Sequence, residues 1–353
     1  EFAQKAKDYY AVTFRRIYLG YDYNFTTNIS SRILLEGSDG VFTNGGDRTT
    51  FVKALYLEWK NIIKNQKLIL GQMSTPSWST CTESMWSYRS LEKTIGDFRK
   101  ISRSNDVGIG ISGTLLDMKS TPTDTVSKPK SLLNISYNLL YGNGTASKPE
   151  NTNRMKVYYG EVIFKIINHI IIEGFATYEP ISVMITSGGK SGQNMNTGKT
   201  VIKEFIGFQH DLFTIGIEAL QQTSKNAKLA IPVDLASSTK KDTTDLLQTG
   251  LSFWARGQII KDKLYAVVRY DIFKNDADRR GWEYSSTSKN GDTKKYDETF
   301  LMIGLDWRPI KNVQVMPNIW LNTYKDMTNN VTNYKEIKRD NDLVARITLF
   351  YKF

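Results

Sequence analysis

The chain has 353 residues, a formal net charge of +11, one cysteine and two histidines. Its apolar runs fall short of the roughly 18 residues that a membrane-spanning helix needs, which excludes a helical membrane protein. The single cysteine excludes an intrachain disulfide, and the scattered basic residues form no recognisable nucleic-acid-binding module. The amino-terminal residues lack the apolar core of a signal peptide, so a mature chain is expected.

Alternation of apolar and polar residues with a period of two, the pattern of β-strands, recurs along the chain. In the last such segment, Leu343, Ala345 and Ile347 share one face, and Arg346 and Thr348 lie on the other. This pattern predicts fifteen strands, near 12–24, 28–37, 50–60, 66–72, 104–114, 131–141, 154–166, 170–179, 199–209, 211–221, 247–258, 263–273, 299–308, 313–323 and 342–353. A soluble β-sandwich shows the same alternation, so the strands alone do not decide the architecture.

The predicted connections favour a membrane barrel over a sandwich, because short turns alternate with long polar loops from one end of the chain to the other. Short turns on one side and long loops on the other are typical of outer-membrane β-barrels. The exception is 116–130, which we interpret as an insertion. Bacterial single-chain barrels have an even number of strands, so about 16 are expected, with the first missing or irregular.

The longest distinctive loop is predicted over 73–103. Within it, Leu91, Ile95 and Phe98 recur at helical spacing and predict a short amphipathic helix inside 84–100. Two interpretations are open: a constriction loop folded into a barrel, or an external helix that packs on other loops. Three aromatic residues are predicted to anchor the loop: Trp78, Trp86 and Tyr88.

The strand after this loop favours the constriction interpretation. It sets Val107, Ile109 and Ile111 against a face made of Gly108 and Gly110, followed by a serine. A face of such small residues leaves room for a loop folded against the wall. We therefore expect 84–100 to lie inside the barrel, against the 104–114 strand.

The segment 71–113, which begins GQMSTP and ends DVGIGISG, resembles the phosphate-selective porin O and P family and related bacterial porins. The early stretches YLGYDYNF and ISSRILLEG are similar to that family's first hairpin, and the final ITLFYKF resembles the last strand of outer-membrane barrels. The resemblance implies a 16-stranded porin, usually a homotrimer, with one loop in the lumen. The family's anion site is a set of inward arginines and lysines, which do not align reliably here, so phosphate selectivity is not carried over.

Charged residues fall on the face that would line a channel if the apolar face meets lipid. The basic candidates for the channel lining and constriction are Arg16, Arg32, Arg89, Lys93, Arg99, Lys100, Arg256, Arg269 and Arg346. The inward acidic residues are Asp22, Glu36, Glu58, Glu161, Glu173, Glu218, Asp271 and Asp306. Facing charges of both signs set a transverse field, and an arginine excess favours anions. The alternative is paired charges in a wide lumen without selectivity.

These observations predict an all-β chain that forms one transmembrane antiparallel β-barrel domain over 1–353, with a constriction loop at 73–103, in the bacterial outer membrane. The predicted function is passive diffusion of small hydrophilic solutes, weakly favouring anions, through a lipid-embedded homotrimer. The alternative is a structural or adhesive barrel whose long external loops bind a partner.

No catalytic, cofactor or metal site is expected, and no nucleic-acid partner. A hydrolase would need a nucleophile beside a histidine, but His169 and His210 fall in or beside short turns. The carboxylates of SDGVFTNGGD and NDADRR lack the spacing of a calcium-binding loop. Cys81 lies in the predicted loop and is expected to have no function.

Overall fold

The computed structural model describes residues 9–42, 48–120, 131–150, 155–184, 194–229, 243–277, 296–326 and 340–353. Among these residues, fifteen strands form one sheet, and each of them pairs antiparallel with the strand of this sheet that comes before it in the chain. A separate hairpin, made of β9 (Ser182–Met184) and β10 (Asn194–Asn196), lies between the eighth and ninth strands of this sheet in the chain. The strands of the sheet are β1 (Arg16–Asn24), β2 (Ile29–Phe42), β3 (Arg48–Lys60), β4 (Gln66–Ser74), β5 (Asn105–Lys119), β6 (Ser131–Gly142), β7 (Val157–Ile166), β8 (Ile170–Glu179), β11 (Lys199–Gln209), β12 (Phe213–Leu229), β13 (Thr243–Ile260), β14 (Leu264–Lys274), β15 (Tyr296–Trp307), β16 (Val313–Asp326) and β17 (Asp342–Tyr351).

Every predicted strand has a counterpart in this sheet, so the all-β prediction is confirmed. The sixteenth strand expected from barrel parity is not among the described residues. β5 runs into the predicted insertion as far as Lys119, and the rest of that insertion, 121–130, lies outside the described residues.

The short turns close on side chains that tolerate a left-handed backbone. Positive φ values occur at Asn61 (56°), Asn65 (62°), Asn168 (59°), Asp262 (57°) and Asn312 (66°). Asparagine and aspartate adopt this conformation more readily than other non-glycine residues, because their short polar side chains hydrogen-bond locally. The sequence therefore supplies tight turns along one rim of the sheet.

The two faces of the sheet are inverted relative to a soluble protein. On β7, Tyr158 and Val162 are exposed, whereas Glu161 and Ile163 are buried on the other face. On other strands, the apolar residues Ile217, Leu305 and Ile347 are exposed, and Ile135 is half-buried. An exposed apolar face is stable where hydrocarbon surrounds it, which is the arrangement of a membrane barrel.

The described part of the chain contains two helices, α1 (Thr82–Trp86) and α2 (Ile95–Phe98), both in the connection between β4 and β5. Within the described ranges, neither approaches the length or apolarity that crossing a bilayer requires.

The sheet wraps around this connection. Lys53 on β3 donates to Ser104 Oγ at 3.3 Å, and Arg346 on β17 donates to the Leu91 carbonyl at 2.8 Å. Arg15, which precedes β1, also donates to the Leu91 carbonyl. A flat sheet of fifteen strands would hold its two edges far apart, so the shared contact requires the curvature of a barrel.

Candidate functional site: the lumen and its inserted loop

The connection over 75–104, called the inserted loop here, enters the lumen from the rim opposite the short turns. Its base is closed by the Thr75 amide, which donates to the Ser104 carbonyl at 3.1 Å. α1 is followed by its capping residue Ser87, which has a left-handed φ of 58°. Trp86 Nε1 then donates to the Glu92 carbonyl at 2.7 Å and folds the intervening segment back. The prediction of one amphipathic helix is therefore wrong in its extent, because the left-handed residue divides the segment into two short helices.

Aromatic side chains fasten the inserted loop to the wall, as the sequence predicted. Trp78, Trp86 and Tyr88 are fully buried. Trp86 packs on Trp254 with ring centroids 5.5 Å apart, and Tyr88 Oη donates to Asp306 Oδ2 at 2.9 Å. Burial and the neighbouring Asp306 raise the pKa of Tyr88 above its ordinary range, so the phenol keeps the proton that it donates.

Glycines on distant strands make room for the two helices. A Cβ at Gly207 on β11 would lie 2.6 Å from Met85 Sδ, and one at Gly250 on β13 would lie 3.0 Å from Ile95 Cδ1. The contacts of α1 go to β11 and β12, and those of α2 go to β13. The helices pack where the wall lacks side chains.

This placement corrects the expectation that 84–100 would pack against β5. At Gly110 the space is taken by Met73, whose Sδ would lie 2.9 Å from an added Cβ, and at Gly108 by the backbone of β6. The β5 glycines therefore accommodate neighbouring strands rather than the helices. The helices lie inside the barrel, as predicted, but reach across it.

The inserted loop fills the lumen unevenly. Inward side chains from β11 to β16 are sealed beneath it, with an exposed fraction of 0%: Lys203, Glu218, Asp271, Met302, Asp306 and Met316. On the other side, Tyr18 of β1 is 42% exposed, and the side chains of Arg32 on β2 and Lys67 on β4 are 41% and 42% exposed. The accessible part of the lumen therefore runs beside β1–β4.

The inserted loop presents a charged cluster towards this accessible part. Arg89 Nη2 lies 2.7 Å from Asp97 Oδ2, and the same guanidinium contacts Glu83. Lys93 Nζ lies 3.5 Å from Asp97 Oδ1. Two cations and two carboxylates thus share one surface of the loop.

A second charged cluster on the wall faces the first. Glu36 on β2 forms ion pairs on both sides, with Arg16 Nε at 3.4 Å from Oε1 and Lys53 Nζ at 3.2 Å from Oε2. Arg16 interacts electrostatically with Glu83 and Asp97 of the loop. Lys53 likewise interacts with Arg89 and Asp97. We call the space between the two clusters the charged gap, and count with it the ion pair between Arg15 Nη2 and Glu92 Oε1, 2.8 Å apart, whose residues adjoin Arg16 and Lys93 in the chain.

The cations of the charged gap are more accessible than the carboxylates that pair with them. The side chains of Arg15, Arg16, Lys53, Arg89 and Lys93 are between 17% and 27% exposed. Those of Glu36, Glu83, Glu92 and Asp97 are between 2% and 13% exposed. The carboxylates lie behind the cations, so a solute in the gap meets positive charge first.

The two loop carboxylates differ in proton affinity. Burial raises the pKa of Glu83 above its ordinary value, although Arg89 acts in the opposite direction. Burial acts in the same way on Asp97, but Arg89 and Lys93 outweigh it and lower the pKa of that carboxyl. Glu83 therefore takes up a proton at a higher pH than Asp97 does.

Lys53 was missed by sequence reasoning because strict alternation places it with Leu55 on the lipid face. The pairing of β2 with β3 shifts there, since Leu34 pairs with Ala54 and Leu35 pairs with Val52. Lys53 is the extra residue of this β-bulge, and it turns to reach Glu36. Only the register of the neighbouring strand identifies the bulge.

Three predicted lining residues lie behind the inserted loop rather than on the accessible passage. Arg269 is buried and donates to the Lys93 carbonyl. Arg99 binds the carboxylate of Glu298, and Arg346 lies over the Trp320 ring, 3.4 Å from its centroid, while it holds the loop backbone. These side chains tie the loop to the wall.

The other predicted residues outside the charged gap are dispersed. Arg32 lies towards the short turns, with Nη1 3.6 Å from Asp22 Oδ1. Arg256 Nε donates to Thr214 Oγ1 at 3.2 Å on the β12–β13 wall. Lys100 is exposed at the end of α2, with a left-handed φ of 56°. Of the nine predicted basic residues, Arg16, Arg89 and Lys93 are brought together by the structure.

Comparison with known proteins gives the fold. No family model and no curated protein matches the sequence. OprB of Pseudomonas putida matches the structure with a TM-score of 0.56 at 8% identity, over 96% of this chain and 87% of that chain. OmpT, an outer membrane protein of Vibrio cholerae folded in vitro, matches with a TM-score of 0.51 at 12% identity, over 96% of this chain and 89% of that chain. The chain has the fold of an outer-membrane β-barrel.

Proposed function

We propose that the chain is a porin of the bacterial outer membrane, through which small hydrophilic solutes diffuse passively and anions pass more readily than cations. The exposed apolar face and the barrel fold support the location, and barrels of about 16 strands leave an aqueous lumen. One observation carries the anion preference. At the charged gap, five cations stand in front of four less exposed carboxylates.

The preference depends on the gap being narrow. Salt screens exposed charges beyond a Debye length of about 8 Å at physiological ionic strength, so charges on a wide wall have little effect on a passing ion. The inserted loop brings a second charged surface opposite β1–β3, where both surfaces act on the same solute. Homotrimer assembly, which the family resemblance implies, is part of the proposal and is measured by the mass of the protein in detergent.

The test is the reversal potential of the purified channel in a planar bilayer with a potassium chloride gradient. Wild-type protein should favour chloride. The triple variant Arg16→Gln, Lys53→Gln, Lys93→Gln removes three cations from the gap and leaves the carboxylates in excess, so its reversal potential should change sign towards potassium. A wild-type channel that prefers potassium would refute the anion preference.

A matched control uses the double variant Arg32→Gln, Lys67→Gln on the same wall. Arg32 precedes Glu36 by four residues on β2, which is about 13 Å at roughly 3.3 Å per residue. This distance exceeds the Debye length, so the control should keep the chloride preference. An equal loss in both variants would show that overall charge, rather than the gap, sets selectivity.

A structural or adhesive barrel is the second candidate, because the inserted loop seals the inner wall from β11 to β16. In that case the long external loops would bind a partner and the lumen would be plugged. Folded protein that inserts into a bilayer without conducting ions would favour this candidate over the porin.

A further inference from the structure

A different group of ionisable side chains lies beneath α1, away from the charged gap. Cys81 immediately precedes α1, Glu161 lies on β7 and Glu173 lies on β8. All three are at most 1% exposed. One candidate ligand atom from each, the Cys81 Sγ and a carboxylate oxygen of each glutamate, lies within 4.8 Å of the other two.

This buried layer has more negative than positive groups. Lys203 Nζ lies 2.5 Å from Glu173 Oε1 and donates to Thr82 Oγ1 at 3.0 Å. Glu161, Glu173, Glu218 and Asp271 provide four carboxylates, and Lys203 and Arg269 provide two cations, all at most 1% exposed. Uncompensated charge is costly where water is excluded, so the layer requires further positive charge or protons.

Unpartnered oxygens point to a bound cation. Asn138 Nδ2 donates to Glu161 Oε2, but no donor in the described ranges reaches Glu161 Oε1. Both carboxylate oxygens of Glu218 likewise have no hydrogen-bond partner among the described residues. A buried acceptor without a donor loses its hydration without compensation, and a metal ion restores that interaction for a carboxylate.

We propose that Cys81, Glu161 and Glu173 bind a divalent cation of zinc-like character, which ties the inserted loop to the β7–β8 wall. Zinc accepts thiolate and carboxylate ligands together and takes a fourth ligand such as water, whereas calcium and magnesium favour oxygen ligands alone. Ligand atoms about 2.0–2.3 Å from zinc in a tetrahedral site lie roughly 3.5 Å apart, so binding would draw these three atoms, which lie within 4.8 Å of one another, closer together. Removal of the ion would free the start of α1 from the wall.

The test refolds the full chain into detergent micelles, under thiol-reducing conditions, with zinc or cadmium ions present from the start. The ion must be present during folding because the inserted loop covers the site. After desalting, one equivalent of zinc should remain per chain. With cadmium, the folded protein should show the ultraviolet charge-transfer absorption of a cadmium–thiolate bond.

Variants separate this site from adventitious binding. The double variant His169→Gln, His210→Gln removes both histidines and should keep the bound ion and the absorption. Cys81→Ser should lose the absorption. If Cys81→Ser does not fold, Glu161→Gln serves instead and should weaken zinc binding by at least about tenfold, the loss that even outer-shell changes cause. Wild-type protein without the absorption, but with one free thiol after unfolding, would overturn the proposal, as would unchanged affinity in Glu161→Gln.

Discussion

At the scale of single residues, Glu83 and Asp97 give the charged gap a pH dependence. The raised pKa of Glu83 means that it takes up a proton as the pH falls from neutrality, before an ordinary glutamate would. The lowered pKa of Asp97 keeps that carboxylate charged over the same range. The gap therefore becomes more positive on mild acidification, and we expect the preference for chloride to increase. Reversal potentials measured at successive pH values check this.

The control for that prediction is Glu83→Gln, which removes the titrating group and keeps its shape. Its chloride preference at neutral pH should equal that of the acidified wild type, and it should change little as the pH falls. An acid-induced increase of the same size in Glu83→Gln would assign the effect to another group.

At the scale of elements, Gly207 on β11 leaves the space in which α1 packs against the wall. Gly207→Val places its side chain against Met85 Sδ, which lies 2.6 Å from an ideal Cβ, so α1 must shift away from the wall. Overpacking of this kind costs about 1–3 kcal/mol. We expect a lower free energy of unfolding in urea and a more variable conductance.

Gly174→Val on β8 is the matched control, since no heavy atom lies within 4 Å of a Cβ added there. Both variants put valine into a strand of the same barrel, but Gly174 lies on the exposed outer face, so a difference between them reports the cost of crowding the inner face at Gly207. Equal destabilisation would mean that the inserted loop does not depend on the space at Gly207.

The elements of the sheet were predictable because their signals are local. Alternation over about ten residues defines each strand, and residues such as Asn61 and Asp262 define the turns. The inserted loop was predicted less well. The spacing of Ile95 and Phe98 correctly indicates α2, but the wall that α2 packs on lies more than 100 residues further along the chain. No local pattern specifies that partner.

The candidate site was predictable only in part, for the same reason. The inward arginines follow from alternation, and Arg16 belongs to the charged gap as expected. Alternation does not distinguish an arginine beside the passage from one beneath the loop, which is how Arg269 and Arg346 were misjudged. It also fails at Lys53, where the bulge moves a residue from one face to the other.

At the scale of the whole molecule, the uneven filling of the lumen makes the inserted loop the determinant of both conductance and selectivity. Replacement of residues 79–100 with a short glycine–serine linker removes one side of the charged gap and uncovers the wall from β11 to β16. We expect single-channel conductance to rise and the chloride preference to fall towards zero, because the remaining charges face a wide, screened lumen. Unchanged conductance in a folded variant would mean that the passage lies elsewhere.

The contacts that seat the inserted loop also have an order in time. Tyr88 reaches a partner 218 residues away, Arg99 one 199 residues away, and Leu91 one 255 residues away on the last strand. Contacts over such separations form slowly, because distant stretches of chain must first be brought together. A barrel that lacks β17 also lacks the donor from Arg346 to the Leu91 carbonyl. We therefore expect the inserted loop to be fully held only after the carboxyl-terminal strand has paired with β16, which makes a fully held loop a sign of a completed sheet.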